Sequence, residues 1–176
     1  MKYLILLLFM MIILGCNKKT NNDLLENRRI SEMLMERFNQ SLKTQLYLDN
    51  ERIIYYGGAY IDTSGFLVVR AAGDTVLSKK DIKRRIKSNS FKLESCPFPK
   101  EAAEKIFKEL NSLWANDSNR RLMDSIKVHT IKLIPIANII IVGLGDYSEK
   151  NRDLFKRKVK NSPIIYFQKA EIATAD

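Results

Sequence analysis

The sequence is poor in the residues that metal and nucleophile chemistry needs. Its 176 residues include 1 His and 2 Cys. Structural zinc sites draw on clusters of Cys and His, and a hydrolytic triad needs a His beside a nucleophile and a carboxylate. No G-x-S-x-G, G-D-S-G-G, H-E-x-x-H or C-x-x-C occurs. Two cysteines do not make a disulfide scaffold. With 7 Gly and 4 Pro, collagen-like and low-complexity chains are excluded as well. Carboxylates are outnumbered, 20 Asp and Glu against 30 Lys and Arg, for a formal charge of +10. The rest is globular in composition: 45% hydrophobic, 28% charged and 9% aromatic. That length suits one domain, or two small ones sharing a core.

Lys2 precedes the uninterrupted apolar run Leu4 to Leu14. The run is shorter than the roughly 20 residues of a comfortable membrane span and reads as the h-region of a signal peptide. It ends in Ile13-Leu14-Gly15-Cys16, which resembles a bacterial lipobox. Residues 1–15 are therefore expected to be a lipoprotein signal peptide, and Cys16 the acylated first residue of the mature chain. Its acyl chains would enter a bilayer with about 0.8 kcal/mol per buried CH₂. An uncleaved anchor and a plain secretory signal are the alternatives. Residues 16–22, N-K-K-T-N-N after the Cys, form a polar tether, with Lys18 and Lys19 near headgroups or simply solvated. The expected address is the bacterial cell envelope, outside the cytoplasm and held to the membrane through Cys16. That address argues against nucleic acid as a partner. It also leaves Cys96 without an intramolecular disulfide partner, so an apolar core must carry the fold.

Residues 23–176 form the expected domain. Leu24, Leu25, Ile30, Met33, Leu34, Phe38 and Leu42 recur at helical spacing from Asp23 to about Thr44. Two β-rich runs, Ile53 to Ile61 and Phe66 to Ala72, flank the turn Asp62-Thr63-Ser64-Gly65 and predict a hairpin. Gly57-Gly58 suggests a bulge or a close backbone approach. Ser78 is expected to cap a helix over about Lys79–Lys87, with Ile82 and Ile86 inward. A third strand is expected over Phe91–Ser95, stopped by Pro97 and Pro99.

The pattern then recurs. Shifted by 73 residues, Phe66-Leu67-Val68-Val69 falls on Ile139-Ile140-Ile141-Val142, and Gly65 falls on Asn138. Ile82 to Lys87 falls on Phe155 to Lys160, and Phe91 to Glu94 on Ile164 to Phe167, without a gap. One offset across a strand, a helix and a second strand marks an internal repeat, with units about 53–96 and 126–170. Between them lie a helix from Pro99 to about Trp114, with Ala102, Ile106, Phe107 and Leu110 inward, and a helical piece over about Asn119–Ser125. The expected class is α+β: two small antiparallel-sheet ββαβ units joined by helices and preceded by an N-terminal helix. Leu67, Val69, Ile140 and Val142 are the expected inner residues of the sheets.

No catalytic constellation emerges. His129 lies in an alternating strand, Val128 to Ile134, and is expected to be half-exposed. Cys96, between Ser95 and Pro97, reads as a small buried residue. Asp62, Asp74 and Asp146 are isolated and suit turns and caps better than calcium. The chain is expected not to be an enzyme, and to take no cofactor, metal or small-molecule substrate. Basic residues concentrate on the two equivalent helices, Lys79 to Lys87 and Lys150 to Lys160. They are either a solvated face or a surface for an acidic partner or anionic membrane.

The run Tyr56-Gly57-Gly58-Ala59-Tyr60-Ile61-Asp62-Thr63-Ser64-Gly65-Phe66-Leu67-Val68-Val69 resembles a signature of bacterial protease propeptides. These are the prosegments of secreted chymotrypsin-like serine proteases of the alpha-lytic protease and streptogrisin type. Asn138-Ile139-Ile140-Ile141-Val142-Gly143-Leu144 is similar to that family's later element. The resemblance runs from about Leu24 to Lys169. It implies a scaffold that assists folding of a protease and then inhibits it. One prosegment strand pairs with the protease, and the C-terminal tail occupies the cleft. The given sequence ends at Asp176, where such prosegments continue into the protease, so any partner protease is expected to be a separate chain. Ile172, Ala173, Thr174, Ala175 and Asp176 are the expected partner-binding tail, lying extended in a cleft or else a disordered terminus. The function expected is a lipid-anchored envelope protein that binds, chaperones or inhibits a secreted serine protease. The alternative is an envelope lipoprotein using the same fold for another protein or surface contact.

Overall fold

The computed structural model describes residues 2–46 and 53–170, and side chains within 21–43 and 53–170. Helix α1 (Lys2–Leu46) leads to a hairpin of β1 (Tyr56–Ile61) and β2 (Leu67–Ala71), then α2 (Thr75–Ile86) and β3 (Lys92–Ser95). Helices α3 (Lys100–Ala115) and α4 (Asp117–Ser125) follow. A second hairpin, β4 (Val128–Ile134) and β5 (Ile139–Leu144), is completed by α5 (Glu149–Lys158) and β6 (Ile165–Lys169). The class is α+β with two three-stranded sheets, ordered β1-β2-β3 and β4-β5-β6. Among the described residues no helix is long and apolar enough to cross a membrane.

The repeat is real at the level of side chains. In β2, Leu67, Val69 and Ala71 are buried, and in β5 so are Ile140, Val142 and Leu144, at the same offset. Ile82 and Phe155 are the matching buried residues of α2 and α5. Even the buried polar residues correspond, Ser78 in α2 and Asn151 in α5. Gly65 and Asn138 both have positive φ, 80° and 53°, where glycine and asparagine pay the smallest steric penalty. Removing one such Leu, Ile or Phe side chain from water is worth about 1.5–3 kcal/mol. An inner row of three on each central strand is what gives each sheet its helix.

The antiparallel description holds for the hairpin β4–β5 but not for the third strand. β5 and β6 pair in parallel, Ile140 opposite Ile165 and Leu144 opposite Lys169. A helix between two strands returns the chain to the starting end of the sheet, so both strands run the same way. Helix α2 starts three residues before the expected cap, and Ser78 is buried inside it. The turn at Gly73, φ 80°, followed by Asp74, starts the helix instead. The expected helix from Asp23 lies within α1, which also takes in residues 16–22. No Gly or Pro between Cys16 and Leu46 interrupts it.

The inner stripe of α1 also differs from expectation. Ser31, Leu34 and Phe38 are buried, whereas Leu24, Leu25 and Met33 are exposed. Hydropathy passes over Ser31, yet its hydroxyl donates to Gly65 O at 2.7 Å and accepts from Leu67 N at 2.9 Å. The helix thereby satisfies two backbone groups of the β1–β2 turn. Gly65 has no room for a side chain there, since a Cβ would lie 2.9 Å from Leu24 O.

By contacts the chain divides into two compact units, one of residues 1–53, 59–69 and 75–94, the other of 54–58, 70–74 and 95–176. The first is centred on Leu34, Phe38, Leu67, Val69, Ile82 and Ile86. The second has Leu110, Met123, Ile126, Ile140, Val142 and Phe155 at its core. Ala103, rather than Ala102, is the deepest residue of the first turn of α3. Asn116 caps the end of α3 and the start of α4, its side chain accepting from Ser118 N at 2.9 Å. Asn138, at the β4–β5 position equivalent to Gly65, donates to Gly57 O and Phe98 O, both at 2.9 Å, so a side chain makes contacts where Gly65 has none.

Gly65→Ala should destabilise the protein by about 3 kcal/mol, from left-handed backbone plus displacement of α1. Gly73→Ala, with equal φ but open space around it, should cost only about 1 kcal/mol. Urea unfolding midpoints of the two variants measure the difference; equal losses would contradict the close approach.

Candidate functional site

Strand β6 is the last described strand and forms one edge of its sheet, with β5 its only neighbour among the described residues. Its side chains alternate. Ile165 is buried, Tyr166 is 49% exposed, Phe167 is half-buried, and Gln168 and Lys169 are exposed. Phe167 meets Phe155 of α5 edge to face, ring centroids 5.3 Å apart, a favourable arrangement for two aromatic quadrupoles. The inward side chains thus fix the strand on α5.

The backbone of β6 has a matching alternation. Ile164 O accepts from Ile140 N at 2.9 Å, and Ala170 N donates to Leu144 O at 2.8 Å. Even-numbered residues therefore turn their N–H and C=O toward β5. Phe167 and Lys169 turn theirs the other way, along the open edge. Such an edge is a template for a further strand, and this one leads directly into residue 171. The expected binding residues Ile172, Ala173, Thr174, Ala175 and Asp176 lie outside the described residues, as does the side chain of Cys16.

The candidates for chemistry are kept apart from one another in role. His129 is exposed and is the extra residue of a bulge, since Val128 faces Leu144 while Thr130 faces Gly143. Its ring packs where a side chain at Gly145 would go, so that glycine makes room for it. Nothing in the apolar pattern marks the bulge. Cys96 is buried, as expected. Its thiol donates to Phe98 O at 3.4 Å and fills the space beside Gly57, the close approach that the glycine pair suggested. Among the described residues, no group of three or more His, Cys, Asp or Glu is placed to hold a metal ion.

The aspartates work in turns. Asp62 Oδ1 accepts from Ser64 N and Phe66 N, both at 2.9 Å, and Oδ2 from Lys92 Nζ at 2.6 Å. Lys92 also lies 4.8 Å from the Phe66 ring centroid. Asp146 accepts from Asn151 Nδ2 at 3.0 Å, beside the Ser148 cap of α5. The Lys92 hydrogen bond, with the Phe66 amide next, holds the Asp62 carboxyl below its usual range, and Lys160 does the same for Glu109. Burial pushes the Tyr56 hydroxyl up.

A depressed folded-state pKa stabilises above the unfolded value and ceases to do so as pH falls through the folded one. Asp62 should therefore support the hairpin at neutral pH and lose that role as acid carries it below its ordinary value near 3.8. Asp62→Asn should lower the urea midpoint at pH 7 and leave a shallower loss on acidification than in the parent chain. Parallel acid limbs would contradict this.

No curated protein matches the chain. Residues 17–96 match the Pro-like N-terminal domain, and residues 104–170 the Pro-like C-terminal domain. The first match ends just after β3 and the second begins inside α3, so each matched domain holds one ββαβ unit. The chain is thus similar to Pro-like proteins in both of its halves, which supports a propeptide-like relationship.

Proposed function

We propose that this chain is a non-enzymatic, lipid-anchored envelope protein that binds, and in binding folds or inhibits, a secreted serine protease of the chymotrypsin-like class. The observation that carries the protease half is the open β6 edge within the Pro-like C-terminal domain, running directly into residues 171–176. A protease strand would add beside β6, taking the outward N–H and C=O of Phe167 and Lys169. Strand addition draws affinity from main-chain hydrogen bonds and specificity from the alternating side chains. Here the second face of β6 offers Tyr166 and Gln168. The segment Ile172 to Asp176, built mostly of small residues, would follow that strand into the cleft and lie there as a product does. The anchor half is supported by Leu14-Gly15-Cys16 after the apolar run from Leu4.

Two experiments test the two halves separately. Inhibition of a streptogrisin-type protease should be lost when Glu171 to Asp176 are deleted, and should weaken at least tenfold in Lys169→Pro. A proline there removes an N–H that β5 does not use, and such positions on edge strands tolerate it, so the unfolding midpoint should move little. Undiminished inhibition by both variants would remove the protease reading. Labelled palmitate fed to cells making the chain should appear in it and vanish in Cys16→Ala. Label surviving in that variant, or never appearing, would remove the anchor.

A further inference from the structure

The two equivalent basic helices are not equivalent in how their charge is held. In α5, Lys156 lies 3.8 Å from Asp153, and just past the helix end Lys160 is bonded at 2.6 Å to Glu109 of α3. The positions in and just after α2 that match Asp153, Lys156 and Lys160 are Lys80, Lys83 and Lys87. Where α5 has a carboxylate, α2 has a third cation. Among the described residues, Lys80, Lys83 and Lys87 make no ion pair, and all three are exposed. The one acid of α2, Asp81, is taken by Arg84 and Arg85 at 2.5 and 2.6 Å.

The same outward face begins with exposed aliphatic side chains. Val76 is 76% exposed and Leu77 is 66% exposed, in the first turn of α2. Positions 76, 80 and 83 are spaced four and three residues apart, so they form one stripe along the helix, and Lys87 follows directly after its end with φ 53°. Ser78, Ile82 and Ile86 hold the opposite face in the core. Beyond the stripe lies a shallow recess of about 510 Å³ lined by Lys80, Lys83, Arg84, Lys87, Ser88 and Asn89. In α5, the residue matching Val76 is Glu149 and that matching Leu77 is Lys150. The exposed aliphatic pair at the start of the basic face occurs in α2 and not in its duplicate.

We propose that the outward face of α2 docks on an anionic phospholipid bilayer, with Val76 and Leu77 entering the headgroup boundary and Lys80, Lys83 and Lys87 meeting lipid phosphates. Charge complementarity favours that occupant, and the aliphatic pair favours a bilayer over a soluble polyanion. Interfacial helices combine these two features, and lysines near such a surface are attracted through the negative potential of its lipids. The recess accepts a headgroup phosphate, which Ser88 and Asn89 line beside the cations. This inference stands apart from the protease reading and from acylation, since it concerns side chains of α2 alone.

Vesicle partitioning of the full chain carrying Cys16→Ala, which removes the acylation site, tests it. Phosphatidylcholine vesicles are compared with vesicles of phosphatidylcholine and phosphatidylglycerol. The neutral vesicles report whatever the apolar run Leu4 to Leu14 contributes, and the ratio between the two reports the charges. Lys80→Gln, Lys83→Gln and Lys87→Gln together should lower binding to anionic vesicles on the order of a hundredfold, from the typical contribution of each lysine near such a surface. The matching removal of three cations from α5, Lys150→Gln, Arg157→Gln and Lys158→Gln, should lower it by less than tenfold. Val76→Ser with Leu77→Ser should weaken binding about tenfold, and that loss should persist in high salt, where screening removes the lysine term. Circular dichroism confirms that each variant is folded. Equal losses from the α2 and α5 sets, equal partitioning to neutral and anionic vesicles, or capture by soluble polyglutamate in place of vesicles would overturn the proposal.

Discussion

A central strand in a small sheet has obligations in three directions. Its backbone must pair on both sides, and one row of its side chains must leave water. Strand β5 meets all three: β4 on one side, β6 on the other, and Ile140, Val142 and Leu144 buried. The second half of the structure follows from satisfying it. Helix α5 is where it is because Phe155 closes over that row, and β6 runs parallel because α5 has carried the chain back. The cost of this arrangement falls on the edge. Among the described residues β6 has one neighbour, so half of its backbone groups face outward, and that open row is the feature on which the reading of function rests.

The duplication shows what the unit requires and what it leaves free. Both copies keep the three inner residues of the central strand, the buried helix residue at Ile82 or Phe155, a buried polar residue at Ser78 or Asn151, and a left-handed residue at Gly65 or Asn138. They differ in how the turn is secured. In the first unit the hydroxyl of Ser31 satisfies the turn and Gly65 makes room for α1. In the second the Asn138 side chain itself reaches Gly57 O and Phe98 O. They differ again on the outer helix face, where α5 pairs Lys156 and Lys160 and α2 leaves Lys80, Lys83 and Lys87 to solvent. Packing constrains the inner face alike in both copies, and the outer faces have been free to diverge.

Much of this was legible from residue order. The strands, the helices and the offset repeat follow from apolar spacing, because burial on one face imposes a period that hydropathy records. Cys96 was legible from its lack of a His or basic neighbour in sequence, and Gly57 from the pair of glycines. What stayed hidden depends on partners distant in sequence. Ser31 looks polar and solvent-facing until the turn it serves is brought against it. The bulge at His129 leaves the count of apolar residues unchanged. The parallel course of β6 is a property of the connection rather than of its residues. The pairing of Lys160 with Glu109 joins positions in different helices, so two basic runs that look alike in sequence differ in free charge. The proposed roles of residues 172–176 and of Cys16 rest on motifs alone, the resemblance to protease prosegments and the lipobox-like run.

Amide hydrogen exchange with and without a bound streptogrisin-type protease addresses the open edge most directly. The amides of Phe167 and Lys169 should exchange rapidly in the free protein and become protected in the complex, while those of β4 at the far side of the sheet stay unchanged. Protection appearing along β4 instead, with Phe167 and Lys169 still exchanging freely, would contradict the account.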